Sequence, residues 1–194
     1  MRLVHSNRYR KYDRHDAWFS DLPNLRIVTS SLVRTISTAA TTKASHRSAN
    51  PTLDEIKAGA FDGLTYEEIE RLHPREFELR EKDKLRYRYP EGNLGKDLYV
   101  EFLVETPCMA LLLGESYLDC YHRISTVLAD IKATPSPVLI VAHQAILRCM
   151  VGSITDRPPD VVPYIDIPQY EYGEVMGNHF NTSLMQVLFQ AQIN

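Results

Sequence analysis

A histidine, His143, stands directly behind the apolar run Val138-Leu139-Ile140-Val141-Ala142. An imidazole fixed to the end of a rigid strand is suited to proton transfer or to donation toward an anion. The residues after it, Ala145 to Ile154, read as a helix whose first backbone N–H groups would point at the same anion. Arg34 is a second candidate. The β-type run Leu25-Arg26-Ile27-Val28-Thr29 is followed by Ser30-Ser31, which can cap a helix carrying Leu32, Val33, Ile36 and Ala39-Ala40 and so place Arg34 in its first turn. In open α/β sheets ligands collect beyond the carboxyl ends of the strands, so residues just after Thr29 and Ala142 should face one cleft. Arg34, His143, Gln144 and Arg148 therefore group together. A hydrogen-bonded histidine that only satisfies a strand end is the equal alternative. Arg80, Lys84 and Arg88, four residues apart, would share one helix face and clamp an anion if that face pointed inward. A solvated charged face is the commoner meaning of such a run. Glu55, in Leu53-Asp54-Glu55-Ile56, is by pattern an ordinary carboxylate.

The elements that must position these groups read as α/β. The chain has 194 residues, 44% hydrophobic and 24% charged, enough for one domain with its own core. Lys and Arg number 22 against 25 Asp and Glu, so no long-range field favours nucleic acid or an acidic membrane surface. Cys108, Cys120 and Cys149 form neither a disulfide framework nor a metal-binding CxxC pair, which points to reduced thiols and a cytoplasmic location. No apolar stretch approaches the roughly 20 residues of a spanning helix, and the start lacks a signal peptide's apolar centre, so no membrane partner is expected. Thr65-Tyr66-Glu67-Glu68 matches a capping box opening a short helix, Tyr66 to Leu72, that ends at His73-Pro74. Ser116 to Ala133 reads as one long helix, Val138 to Ala142 as a central strand covered on both faces, and Pro158 to Tyr172 as a proline-rich turn region.

At this level the sequence describes an α/β domain with phosphate-binding character; a more specific signal lies in its motifs. The stretch LDEIKAGAFDGLTYEEIERLHPREFELREKDKLRYRYP, beginning at Leu53, resembles the bisphosphatase domain of the bifunctional 6-phosphofructo-2-kinase/fructose-2,6-bisphosphatase family, a branch of the histidine phosphatases. Val28-Thr29-Ser30 through Arg34-Thr35, Gly114-Glu115-Ser116-Tyr117, Val141-Ala142-His143-Gln144-Ala145 through Arg148-Cys149, and Val162-Pro163-Tyr164 match the same family in the same order. The resemblance covers roughly 120 residues. It implies a phosphoglycerate-mutase-like three-layer αβα fold and hydrolysis of fructose 2,6-bisphosphate to fructose 6-phosphate and phosphate through a phosphohistidine, with no metal and no cofactor. By resemblance Glu55 is the proton donor to the leaving sugar oxygen, Arg34 neutralises the phosphoryl oxygens, and His143 donates to them in the transition state. Tyr66, Arg80, Lys84, Tyr117, Gln144 and Arg148 match positions that hold the sugar and its second phosphate. Arg86 and Arg88 receive no substrate role. The family also implies a homodimer and a link to ATP. The kinase loop Gly-x-x-x-x-Gly-Lys-Ser/Thr is not in the sequence, so ATP is at most a visitor to the phosphatase cleft.

The sequence departs from the family in three places. The family's first strand ends in Arg-His-Gly, which supplies the nucleophile. His15 follows Arg14 but precedes Asp16, and His5 has neither the arginine nor the glycine loop, so the first strand is expected to be missing and the chain to be a truncated, inactive form. A sugar-phosphate-binding or dimerising pseudo-phosphatase is the alternative class. Second, Asn93 to Gly114 interrupts a motif that in the family runs Tyr-Pro-x-Gly directly into Glu-Ser-Tyr. It is expected to be an untranslated segment such as a retained intron, with a hairpin or lid as the alternative. Third, residues 169–194 no longer follow the family's final strand, leaving that sheet edge in doubt. The expected organisation is thus a polar start over residues 1–20, a bisphosphatase-like domain over 21–168 interrupted by 93–114, and a divergent segment over 169–194.

Overall fold

The computed structural model describes residues 8–12, 22–90, 114–167, 172–176 and 187–192. The expectations for His5 and His15, and for the interrupting segment up to residue 113, lie outside the described residues. In chain order the elements are β1 (Arg8–Tyr12), β2 (Arg26–Thr29), α1 (Val33–Ala39), β3 (His46–Ala49), α2 (Tyr66–Leu72), α3 (Pro74–Lys82), α4 (Tyr117–Arg123), α5 (Ser125–Ala133), β4 (Val138–His143), α6 (Gln144–Ile154), β5 (Tyr172–Met176) and β6 (Val187–Gln192). The strands form one six-stranded sheet ordered β1-β5-β6-β4-β2-β3. Strands β3, β2, β4 and β6 are parallel, and β5 and β1 pair antiparallel at the other end. The chain divides into two compact units, residues 1–55 with 121–194, and residues 56–120.

In the first unit β4 positions the histidine. Its six residues are all buried. Leu139 and Val141 pack with Leu25, Ile27 and Ala39, and the alternate residues Val138, Ile140 and Ala142 are equally enclosed. Side chains alternate across a strand, so both faces are covered, as the continuous apolar run predicts. His143 is the last residue of β4 and the N-cap of α6.

Several local expectations are corrected. Ser30 and Ser31 do not cap α1: its N-cap is Leu32, with no side-chain cap bond, because both serine hydroxyls are engaged elsewhere. The single helix over Ser116–Ala133 is two, divided at Ile124, whose backbone (φ −74°, ψ −9°) stays near the helical region. The C-terminal segment does furnish strands. Val187–Gln192 pairs in parallel with all of β4, in keeping with the strand preference of Val187, Leu188 and Phe189.

In the second unit the capping box forms as read: the Thr65 hydroxyl accepts from Glu68 N, and the Glu68 carboxylate accepts from Thr65 N. Helix α3 ends at Lys82, with Asp83 extended (φ −147°, ψ 74°). Arg80, Lys84 and Arg88 therefore do not share one helix face. Phe61, Ile69 and Tyr89 form the core, the Phe61 ring standing edge-on to His73 at 4.6 Å and 5.3 Å from Tyr89.

Gly114, placed at the end of the interrupting segment by the sequence, is built into this unit. Its N–H donates to Tyr89 O at 2.8 Å. A Cβ there would lie 2.4 Å from the Lys57 carbonyl, so a larger residue cannot enter without moving backbone. Deleting residues 92–113 would join Glu91 to Gly114. The four residues Tyr89-Pro90-Glu91-Gly114 would then form a β-turn whose closing bond already exists, with Pro second and Gly fourth as type I turns favour. The deletion variant is therefore expected to unfold in urea at a midpoint no lower than that of the full chain; a lower midpoint contradicts this.

Candidate active site

Pairing of β2 with β4 brings Thr29 opposite Val141, and Ser30 N extends the contact by donating to Val141 O at 3.2 Å. The residues just beyond both strands consequently meet. Nη2 and Nε of Arg34 lie 3.1 and 3.4 Å from His143 Nδ1, and Ser30 Oγ lies 2.9 Å from His143 Nε2. Arg34 and His143 thus come together as the sequence grouped them.

His143 is completely buried. Burial disfavours the imidazolium, the Arg34 guanidinium adds to the effect, and the Asp54 carboxylate opposes it, leaving the histidine pKa lowered to about 4. At neutral pH the ring is uncharged and Arg34 carries the positive charge. The unfolded chain binds this proton near the ordinary histidine pKa of 6.5, whereas the folded chain releases it down to about 4. Between these values the unfolded state holds more protons, so stability rises with pH. Urea midpoints are expected to fall as pH is lowered from 6.5 toward 4, and His143→Gln to flatten that part of the profile. An equally steep profile in the variant contradicts the assignment.

Glu55 follows a short 3-10 turn, Pro51–Leu53, and is half-buried. Its segment is tied from two sides. The Asp54 carboxylate accepts from Ser31 N at 2.7 Å and from Ser31 Oγ at 2.6 Å, fastening it to the turn that leads to Arg34. Arg123 donates to Thr52 O at 2.7 Å and to Asp54 O at 3.1 Å. Glu55 also lies near Cys149, whose thiol is pushed up to about 12 chiefly by burial, with Glu55 adding to the rise and Arg123 opposing it. Gln144 and Arg148, one turn apart on α6, hold the following segment: Gln144 Nε2 donates to Ile167 O at 3.2 Å and Arg148 Nε to Ile165 O at 2.8 Å. Among the described residues no three His, Cys, Asp or Glu side chains gather as metal ligands would.

The second unit gathers Tyr66, Arg80 and Lys84. Arg80 Cζ lies 4.4 Å and Lys84 Nζ 5.6 Å from the Tyr66 ring centroid, and Arg80 Nη2 donates to the Tyr66 hydroxyl at 3.0 Å. Glu81 balances the cations, at 2.8 Å from Arg80 and 3.6 Å from Lys84. Stacking on one ring, rather than a common helix face, brings the two cations together. Tyr117, the first residue of α4, is buried. Arg86 and Arg88 pair instead with Asp83 and Asp119.

Ser30, Thr35, Asp54 and Arg123 were missed as site residues. Ser30 and Thr35 read as cap and helix interior, and Asp54 was passed over beside Glu55. Arg123 carried no local signal.

Residues 9–186 match the family described as the histidine phosphatase superfamily, branch 1. Similar proteins include a 6-phosphofructo-2-kinase/fructose-2,6-bisphosphatase of Arabidopsis thaliana, 37% identical over 77% of this chain and 17% of that protein. Another is 6-phosphofructo-2-kinase/fructose-2,6-bisphosphatase 4 of Rattus norvegicus, 32% identical over 84% of this chain and 30% of that protein. The chain thus spans less than a third of the length of these relatives. Among solved structures, a mycobacterial glucosyl-3-phosphoglycerate phosphatase complexed with inorganic phosphate is similar at TM-score 0.59 and 20% identity, over 93% of this chain and 82% of that one. The alpha-ribazole phosphatase of Shigella flexneri is similar at TM-score 0.54 and 14% identity, over 81% and 69%. These structural likenesses establish the shared phosphoglycerate-mutase-like α/β fold.

Proposed function

Because the chain belongs to the histidine phosphatase superfamily, we propose that Arg34 and His143 receive a phosphoryl group of fructose 2,6-bisphosphate, and that the chain binds this sugar phosphate without hydrolysing it. The observation that carries the reading is the Arg34–His143 pair: a guanidinium beside a buried, neutral imidazole at the ends of two paired strands. A fixed positive charge in a site of low dielectric is worth more to a phosphoryl group than the same charge in water. The relatives' names supply the sugar phosphate.

The family reaction forms a bond from an imidazole nitrogen to phosphorus while the bond from phosphorus to the sugar oxygen breaks and an acid protonates that oxygen. Glu55 is the proposed acid, held by the anchoring of its segment through Asp54 and Arg123. The attacking imidazole is what this sequence does not supply, since it contains no Arg-His-Gly. The strands flanking β4 in parallel, β2 and β6, end in Thr29 and Gln192. A second reading, turnover through His15 or His5, is favoured only by Arg14-His15.

Isothermal titration of the chain with fructose 2,6-bisphosphate, together with phosphate release from the same substrate, tests the proposal. Saturable binding without release supports it. Absence of binding overturns it, and release that disappears in His15→Ala or His5→Ala replaces it with the second reading.

A further inference from the structure

Three fully buried side chains behind the Arg34–His143 pair form a continuous hydrogen-bonded line. Ser30 Oγ lies 2.9 Å from His143 Nε2 and 2.7 Å from Thr35 Oγ1. Thr35 Oγ1 lies 2.8 Å from Leu32 O and 3.3 Å from Ser30 O, and Leu32 N donates to Ser30 Oγ at 3.2 Å. Ser30, Thr35 and His143 all have 0% exposure, so none of them turns to bulk water for a partner.

The direction of every bond can be assigned from one end. A guanidinium has only donors, so Nδ1 of His143, which faces Arg34, accepts and carries no proton. In the neutral ring the proton is then on Nε2 and is donated to Ser30 Oγ. Ser30 passes its own hydrogen to Thr35 Oγ1, and Thr35 donates to Leu32 O. Every polar hydrogen in the line has an acceptor.

This assignment does not suit a bound phosphate. With a phosphate in place, Arg34 donates to the anion and the Nδ1 lone pair would face its oxygens. The opposite tautomer removes that repulsion: Nδ1–H donates to the anion, Nε2 accepts from the Ser30 hydroxyl, which rotates, and Thr35 turns its hydrogen from Leu32 O to Ser30 Oγ. The ring is neutral in both forms, one proton leaving Nε2 and one arriving at Nδ1 by exchange with water. A hydroxyl can serve both forms because it donates and accepts; an alanine could serve neither.

We infer that Ser30 and Thr35 are positioning residues that let the proton of His143 move from Nε2, where Arg34 places it in the free chain, to Nδ1 when an anion binds. The change on binding rests on the phosphoryl-site reading above; the tautomer of the free chain does not. Besides Arg34, the charges acting on the ring are Asp54 and Arg123, and neither takes part in the line.

Long-range proton–nitrogen NMR of the histidine-labelled full chain reads the tautomer directly, with His143 assigned by its loss in His143→Gln. In the free chain Nε2 is expected to be protonated and Nδ1 bare, and saturating inorganic phosphate is expected to reverse them. A free chain with protonated Nδ1, or with both nitrogens protonated at neutral pH, overturns the inference. So does phosphate that perturbs Arg34 yet leaves His143 in its first tautomer. If phosphate perturbs neither side chain, the phosphoryl-site reading fails and the change of tautomer falls with it, while the free-chain assignment is judged by its own spectrum. Ser30→Ala leaves no donor for a bare Nε2 and is expected to lose the reversal with phosphate and to weaken phosphate binding about tenfold or more. Thr35→Val removes the next hydroxyl at similar volume and should impair the same reversal, whereas Thr35→Ser should restore it. Variants that fold and still reverse the tautomer as the parent does also overturn it.

Discussion

Mixed with fructose 2,6-bisphosphate radiolabelled at the 2-phosphate, the 194-residue chain is expected to release phosphate on the order of 10⁵- to 10⁶-fold more slowly than a superfamily member with an Arg-His-Gly strand. Losses of this size follow when a nucleophile is removed from a catalytic group that acts as a unit. The other groups keep their geometry: Arg34 and His143 remain paired, and the Glu55 segment stays anchored. They stabilise charge on a phosphoryl group in transit, but without an attacking imidazole that transition state is not reached by the family route. Acid-labile label on the protein should be absent after quenching. His143 does not replace the nucleophile in this account, because it is fully enclosed and its Nδ1 is engaged by Arg34.

Arg34→Ala is expected to weaken phosphate and fructose 2,6-bisphosphate binding by about 2–3 kcal/mol, roughly 30- to 150-fold in Kd, the scale of hydrogen bonds to a charged group in a partly buried site. The substitution removes the positive charge at the site and the donors that hold Nδ1 of His143. It should also raise the histidine's pKa, since Arg34 is one of the causes of its lowering. Arg34→Lys keeps the charge but not the planar fork, so an intermediate loss is expected. Titration calorimetry measures both. Equal affinity in Arg34→Ala and the parent contradicts the role.

How much of this was legible in the sequence depended on whether local pattern or long-range pairing decided the outcome. The run Val138–Ala142 is apolar without a break, and a strand buried on both faces is its natural home, so the site of His143 could be read directly. The capping box at Thr65 and Glu68 is equally local and formed as written. Ser30 and Ser31 gave the same kind of cap signal and it misled, because hydroxyls that can cap a helix can also bind a carboxylate or an imidazole. Asp54 and His143, far off in sequence, took them. The spacing of Arg80, Lys84 and Arg88 suggested one helix face, yet α3 stops at Lys82. Arg80 and Lys84 meet through the Tyr66 ring instead. Arg123 was invisible because it holds the main-chain carbonyls of Thr52 and Asp54, which no side-chain pattern announces. Gly114, which the sequence places in the interrupting segment, closely approaches Lys57 O and Tyr89 O, main-chain contacts that no local pattern announces.

The central claim, that Arg34 and His143 form a phosphoryl-binding site for fructose 2,6-bisphosphate, is tested most directly by one calorimetric titration of that compound into the chain and into Arg34→Ala. Saturable binding to the parent is expected, competed by inorganic phosphate and weakened roughly 30- to 150-fold in the variant. Absence of binding to the parent, or binding that the variant leaves unchanged, would contradict it.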